Sequence, residues 1–414
     1  MEAFDAYLNK LTDQTKTLFR EFPDIKWLNP YRDEEILEQR NQLIKISAAS
    51  SLFKETKPYY NQLSKGCKLC GLGSWSCLFI TNKCNASCFY CPAAQQNDEL
   101  PATQSLTFET AEAYAGYINF FKFKGVSFSG GEPLLFFDRT LHYLKTVRKM
   151  CDPDIYIWMY TNGILADTHK FKKLAAAGLD EIRFDIGATG YKLDKVKIAH
   201  NIIPNITIEI PAVPEEKERI KKLLPELIEA GVTNLNLHQL RLTKHNAPKL
   251  LKRNYTFIPA EQPIVLESEL AALEIMNFAR ENQLEIGINY CSFAFKNRFQ
   301  KAGFRKQLAI TLAGDDEKIT QKGFIRNQTE NSIGYKTFVI SDSPAPGSGE
   351  TALKLPHKTC FIKKENVMIP RKFEEEEKAE IAAFMNNEPE QIPADDFLFK
   401  IWQFEYIEKG LREY

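Results

Sequence analysis

Cys84, Cys88 and Cys91 stand at C-x3-C-x2-C spacing in the stretch Cys84-Asn85-Ala86-Ser87-Cys88-Phe89-Tyr90-Cys91-Pro92, directly after the apolar run Cys77-Leu78-Phe79-Ile80-Thr81. Thiolates this close in sequence can converge on one metal centre. Three of them can hold three irons of a cubane cluster and leave the fourth iron without a protein ligand. An open iron is a place where a small molecule can bind and be reduced. Chance is a weak rival: nine cysteines scattered over 414 residues produce this spacing about 0.004 times per chain. A buried trio of thiols, or a zinc site, is the competing reading of these residues taken alone.

The apolar run reads as a strand, and the pattern then repeats. Strands are expected over 125–129, 155–160, 181–186, 206–210 and 234–238, alternating with helices over 107–121, 141–150, 168–177, 193–200 and 215–230. Strand and helix in regular alternation predict an α/β fold, a partial (β/α)6 barrel with right-handed crossovers. In such barrels the chemistry sits at the carboxyl ends of the strands. The unusual residues lie there: the three cysteines, Gly130-Gly131-Glu132-Pro133, Thr161-Asn162-Gly163, Asp185, Glu209 and His238.

A second cysteine pair precedes the first strand in Lys65-Gly66-Cys67-Lys68-Leu69-Cys70-Gly71-Leu72-Gly73. C-x2-C between glycines is a half-site for iron or zinc, because glycine lets backbone amides turn towards sulfur. Cys77, Cys291, Cys360 and His238 are the candidates to complete it. Residues 284–291 read as a further strand ending on Cys291, so Cys67, Cys70 and Cys291 form the favoured set, for a second iron–sulfur cluster or a single iron or zinc. Cys77, inside its strand, reads as a core thiol.

The cysteine loop with Tyr90 before its third cysteine, together with Gly130-Gly131-Glu132-Pro133 after the second strand, resembles the radical S-adenosylmethionine enzymes over roughly residues 76–240. The resemblance implies a [4Fe–4S] cluster on Cys84, Cys88 and Cys91, with S-adenosylmethionine chelating the open iron. It implies Gly130, Gly131, Glu132 and Pro133 at the methionine amino group and Tyr90 near the adenine. It further implies Asn162 near the sulfonium or ribose; Asp185 and Glu209 either hold ribose hydroxyls or substrate or satisfy loop amides. One electron, from a flavodoxin- or ferredoxin-like donor, then yields a 5′-deoxyadenosyl radical that abstracts hydrogen from a substrate. Proteins related to pyruvate formate-lyase activating enzyme are the nearest in general look. They carry Asp-x-Lys where this chain has Asp185-Ile186-Gly187. A looser likeness joins it to an uncharacterised longer subgroup through Gly66-Cys67-Lys68-Leu69-Cys70 and Asn289-Tyr290-Cys291-Ser292. The alternative reading is a non-catalytic iron–sulfur protein for electron transfer or scaffolding. The glycine loop separates the two, since an electron carrier has no need to hold an amino acid.

The flanks read as additions. Residues 1–66 form an N-terminal helical arm, 67–292 the barrel, and 293–414 a small α+β appendage that covers the substrate opening or binds a partner. The insertion at 241–266, with Pro248, Pro259 and Pro263, reads as a lid or as a surface loop. The basic run from Lys296 to Lys306 reads as a solvated helix face in preference to a nucleic-acid contact. With 54 basic against 54 acidic residues, net charge offers no pull towards nucleic acid or membrane. No long apolar run, no basic and apolar leader after Met1, and cysteines spaced as ligands predict a cytoplasmic protein with no membrane segment. The substrate class, whether peptide or protein, tRNA or small metabolite, is not written in these residues.

Overall fold

A computed structural model describes residues 2–28, 34–47, 51–54, 56–104, 106–315, 317–329, 332–344, 350–370 and 375–407. The expected helix break at Asn29-Pro30, most of the turn at 344–349 and the start of the acidic run at 373–374 lie outside the described residues. Strands β1 (Trp75–Thr81), β2 (Gly125–Gly130), β3 (Tyr156–Thr161), β4 (Glu181–Phe184), β5 (Asn205–Pro211), β6 (Asn234–His238) and β7 (Gly287–Cys291) pair in parallel and in chain order. The expected six-strand barrel is therefore extended by β7, which pairs with β6 along its whole length. Successive strands are joined by helices Ala111–Phe120, Phe137–Met150, Thr168–Ala176, Asp194–Ala199, Lys217–Glu229 and Leu266–Glu281. Local signals start them: Thr110 accepts from the amide of Ala113 at 3.2 Å and Asp167 from that of Lys170 at 2.8 Å, each satisfying an N-terminal donor.

Alternation along each strand sorts the side chains. Val126, Phe128, Ile157, Met159, Ile182, Ile208, Leu235, Leu237 and Ile288 are buried in one apolar core. Their neighbours Cys77, Ser129, Tyr160, Arg183, Glu209, Asn236, His238, Asn289 and Cys291 line a cavity on the other face of the sheet. Each core Ile or Leu contributes about 1.5–3 kcal/mol on burial, so a one-residue slip, which exchanges the two sets, is strongly disfavoured.

The arc does not close. Lys57–Tyr60 pairs antiparallel with β7 at one side, and Ala102–Thr103 pairs antiparallel with β1 at the other. The N-terminal region is thus not wholly helical. Besides helices Glu2–Leu18 and Glu34–Ser47 it gives the main sheet the strand Lys57–Tyr60. Helix Lys65–Leu72, capped by Ser64, carries Cys67 and Cys70 against the strands, with Gly66 backed onto Arg183 and Trp158. Gly73 ends it at φ 72°, so close to Gly303 that a Cβ would overlap the Gly303 backbone.

The appendage is an antiparallel sheet of strands Lys318–Ile319, Ile325–Thr329, Ser332–Ser341, Lys358–Pro370 and Thr351–Leu355, in that spatial order, with helices Glu375–Asn386 and Asp396–Glu405. It docks on the outside of the barrel. The Thr107 amide and hydroxyl donate to Asp342 at 2.8 and 2.7 Å, and Gly116 packs on Pro356. Phe293, Lys296 and Gln300 at the start of the 293–414 segment line the cavity, but none of the described residues beyond Gln300 does, so the antiparallel sheet is not part of its wall. Cys360 is buried in this sheet, its thiol 3.7 Å from the Leu353 carbonyl, which removes it from the candidates for the second site. Among the described residues no helix is long and apolar enough to cross a membrane.

Candidate metal and cofactor site

A cavity of about 600 Å³ holds both cysteine groups: Cys84, Cys88 and Cys91 on one side, and Cys67, Cys70 and Cys291 on another. A register shift between Phe79 and Thr81 bends the end of β1 and sends the chain into the first group. The loop is tied to the end of β2: the Gly131 amide donates to the Thr81 carbonyl at 2.8 Å and the Glu132 amide to that of Lys83 at 2.9 Å. Gln95 reaches the Gly130 carbonyl at 3.3 Å. Asn162 binds the loop through Asn85 Oδ1 at 2.7 Å and lies 3.6 Å from Cys84 Sγ. The Tyr90 hydroxyl donates to both oxygens of Asp185, at 2.8 and 3.0 Å. The loop is thereby held at three strand ends, β2 through Gly131, β3 through Asn162 and β4 through Asp185.

Burial pushes the Cys88 thiol up to about 11, with Asp185 adding to the effect, and raises Cys84 as well. Metal must displace these protons, so loading is favoured by higher pH. Burial also raises Asp185 to about 6, against the hydrogen bond from Tyr90.

Glu132 is placed differently from the expectation. Its carboxylate is fully buried and accepts from the Leu134 and Asn162 amides at 2.9 and 2.7 Å and from the Thr161 hydroxyl at 2.8 Å. These contacts make Glu132 a strut between β2 and β3. Pro133 is buried behind it, and neither residue lines the cavity. The glycines do face the cavity. Gly130 has φ 113°, and a Cβ on Gly131 would overlap the Lys83 carbonyl. Gly131→Ala is accordingly expected to cost about 1–3 kcal/mol, as overpacking does, and to weaken S-adenosylmethionine binding by parting the two loops. Denaturant midpoints and equilibrium dialysis of the reconstituted protein check both effects.

The second cysteine group lies among charges. Arg183 is 2% exposed and reaches Glu181 at 2.8 Å and Glu209 at 3.0 Å. Glu209 in turn accepts from Asn236 at 2.5 Å and pairs with His238 Nε2. Its carboxylate is engaged by these three side chains. Although burial opposes it, His238 and Arg183 hold Glu209 well below the usual carboxylate range. On the far side of the His238 ring, the Lys296 ammonium lies 3.1 Å from Nδ1. Burial alone would raise Cys291, but Lys57 and Lys296 pull it down to about 6, while its neighbour Cys70 is pushed up to about 12.

Lys57, Arg183, Asn236, Asn289, Gln300 and Arg241 are cavity residues that the sequence reading missed. A signal existed for three of them. Arg183, Asn236 and Asn289 stand two residues before Asp185, His238 and Cys291, and so share their face of the strand. The basic run is not one solvated face. Lys296 points into the cavity, Arg298 is buried, and Arg305 stacks on Phe324 at 4.8 Å. Cys77 is no simple core thiol: it lines the cavity and bonds to Ser127 and Ser129. The insertion after β6 braces the loop. Thr243 donates to the Pro92 carbonyl at 2.9 Å, Asn246 to that of Tyr90 at 3.3 Å, and Arg253 stacks 3.6 Å from the Phe89 ring.

Residues 78–240 match the model of the Radical SAM superfamily. The chain is 28% identical over 278 residues to a Methanocaldococcus jannaschii protein provisionally named a glycyl-radical enzyme activating enzyme, a match covering 64% of this chain and 73% of that one. It is 30% identical over 169 residues to a GTP 3′,8-cyclase of Rhodopirellula baltica, covering 39% of this chain and 41% of the cyclase. Among solved structures, SuiB of Streptococcus suis bound to S-adenosylmethionine is similar over 60% of this chain and 58% of SuiB, at 13% identity and a TM-score of 0.38.

Proposed function

The chain is a radical enzyme belonging to the radical S-adenosylmethionine superfamily, and from that premise we propose that it uses Cys84, Cys88 and Cys91 to act on a substrate seated in the cavity between its two cysteine groups. The observation that carries this reading is the shared cavity. Residues suited to holding the cofactors line it, with walled space beside them for a second molecule.

The residues present fit the cofactors that the family uses. Three thiols on one loop suit three irons of a [4Fe–4S] cluster, and the side-chain-free edge of Gly130 and Gly131 leaves room for a ligand against backbone. Bound there, the cluster and S-adenosylmethionine would supply the one-electron chemistry for hydrogen abstraction from the substrate. The chain's own part is placement. Asn162 steadies the loop beside Cys84, Tyr90 and Asp185 fix its far end, and Glu132 locks β2 to β3 so that these groups keep their spacing. The brace from Thr243, Asn246 and Arg253 holds the loop from the β6 side. The electron is supplied by a flavodoxin- or ferredoxin-like donor.

Anaerobically reconstituted protein, reduced with dithionite, is expected to convert S-adenosylmethionine to 5′-deoxyadenosine. A fully loaded, folded protein that neither binds nor cleaves it would overturn the proposal. Asn162→Ala is expected to slow cleavage about 10–100-fold, the range for partners one step removed from a metal, with iron content unchanged. Loss of iron in that variant would instead make Asn162 a determinant of assembly.

A further inference from the structure

We propose that Cys67, Cys70 and Cys291 ligate a second iron–sulfur cluster in the same cavity, with buried Lys57 as its counter-charge. Cys67 and Cys70 sit one turn apart on helix Lys65–Leu72, and Cys291 ends β7 beside His238. All three are free thiols on the cavity wall.

Their surroundings supply hydrogen-bond donors. Asn236 Nδ2 is 3.2 Å from Cys67 Sγ, with Asn289 Nδ2 and Arg183 Nη1 each at 3.8 Å. Gln300 Nε2 is 2.7 Å from Cys70 Sγ, and Cys291 stands opposite His238 in the β6–β7 pair. Three carboxamides turned donor-first onto sulfur suit anionic sulfur, and such contacts tune the potential of a bound cluster.

Lys57 is the second, independent observation. It is 1% exposed, lines the cavity, and has no carboxylate within ion-pair range among the described residues. Its ammonium lies 4.4 Å from the Phe295 ring and feels Cys291, Cys67 and Cys70 more strongly than Glu209, which is outside ion-pair range and already engaged by Arg183, Asn236 and His238. A buried ammonium without a carboxylate is costly unless an anion joins it. A thiolate-bound cluster is such an anion.

A cluster takes each of the three thiolates on a different iron. His238 is poorly free to complete a one-ion set, since Glu209 and Lys296 hold its two ring nitrogens.

The test uses the full chain carrying Cys84→Ala, Cys88→Ala and Cys91→Ala, loaded anaerobically with ferrous iron and sulfide and desalted. About four iron and four sulfide per chain are expected to remain, the content of one cubane, with visible absorption that dithionite bleaches. Adding Cys67→Ala, Cys70→Ala and Cys291→Ala is expected to remove all of it. A variant folded by circular dichroism that keeps no iron, or that takes up zinc without sulfide, overturns the cluster. Lys57→Met in the first triple background is expected to move the midpoint potential to more negative values, because a positive charge near the reduced form is lost; an unchanged potential overturns the role of Lys57. Iron retention here does not depend on S-adenosylmethionine cleavage. Failure in this test with cleavage intact in the parent sinks the second cluster alone, and the converse sinks the proposed reaction alone.

Discussion

Anaerobically reconstituted Cys88→Ala protein is expected to release no 5′-deoxyadenosine from S-adenosylmethionine. The loss should exceed the roughly 10–100-fold that changes to outer partners cause, because a thiolate ligand itself is gone. Cys88 is the middle cysteine of its loop and lies on the cavity wall. Its thiol is held protonated by burial and by Asp185 until metal displaces the proton. Cys77 is the informative control. It lines the same cavity on β1, but it is already bonded to Ser127 and Ser129. Cys77→Ala is expected to retain the parent's iron. Iron and sulfide assays with chromatographic detection of 5′-deoxyadenosine measure both variants. Full cleavage by Cys88→Ala, or loss of iron from Cys77→Ala, would show that the cysteine loop has been assigned wrongly.

Arg183→Met is expected to be the most destabilising single change in the lumen, costing about 3–5 kcal/mol, the range for breaking a buried ion pair from one side. The guanidinium reaches Glu181 at 2.8 and 3.3 Å, Glu209 at 3.0 Å and Ser64 at 3.1 Å, and lies over the Trp158 and Tyr160 rings at 5.1 and 5.4 Å. Methionine fills some of the volume and leaves two buried carboxylates without their shared cation. Glu181 still accepts from Thr207 at 2.7 Å and Tyr156 at 3.1 Å, so a second change, Glu181→Gln, is expected to restore part of the loss. Equilibrium denaturation of the single and double variants measures the coupling. An Arg183→Met protein with the parent's midpoint would mean that the charges are solvated in solution.

Much of the barrel was legible because its signals are local. Alternation of apolar residues and regular helix spacing placed six strands, and the residues at their ends were found from their positions alone. β7 was read as a strand without its partner, since pairing with β6 is a long-range choice. Glu132 shows what residue chemistry without coordinates leaves out. A carboxylate beside a glycine loop suits an amino group, yet three protein donors at 2.7–2.9 Å already occupy it. The basic run failed as a unit for a related reason, because helix geometry sends Lys296, Arg298 and Arg305 in different directions.

What the sequence by itself determined is the cysteine loop. Eight residues hold Cys84, Cys88 and Cys91 so close along the chain that few folds could keep them apart, and the glycine edge of β2 needs only backbone to meet them. The tertiary structure alone decided what faces that loop. Lys57, Cys67, Arg183, Asn236, Cys291 and Gln300 come from separate parts of the chain, and no local rule relates them. Strand pairing and the helix that carries Cys67 and Cys70 bring them to one wall. There burial turns ordinary side chains into a charged, sulfur-lined chamber, because removing water is what makes each partner matter.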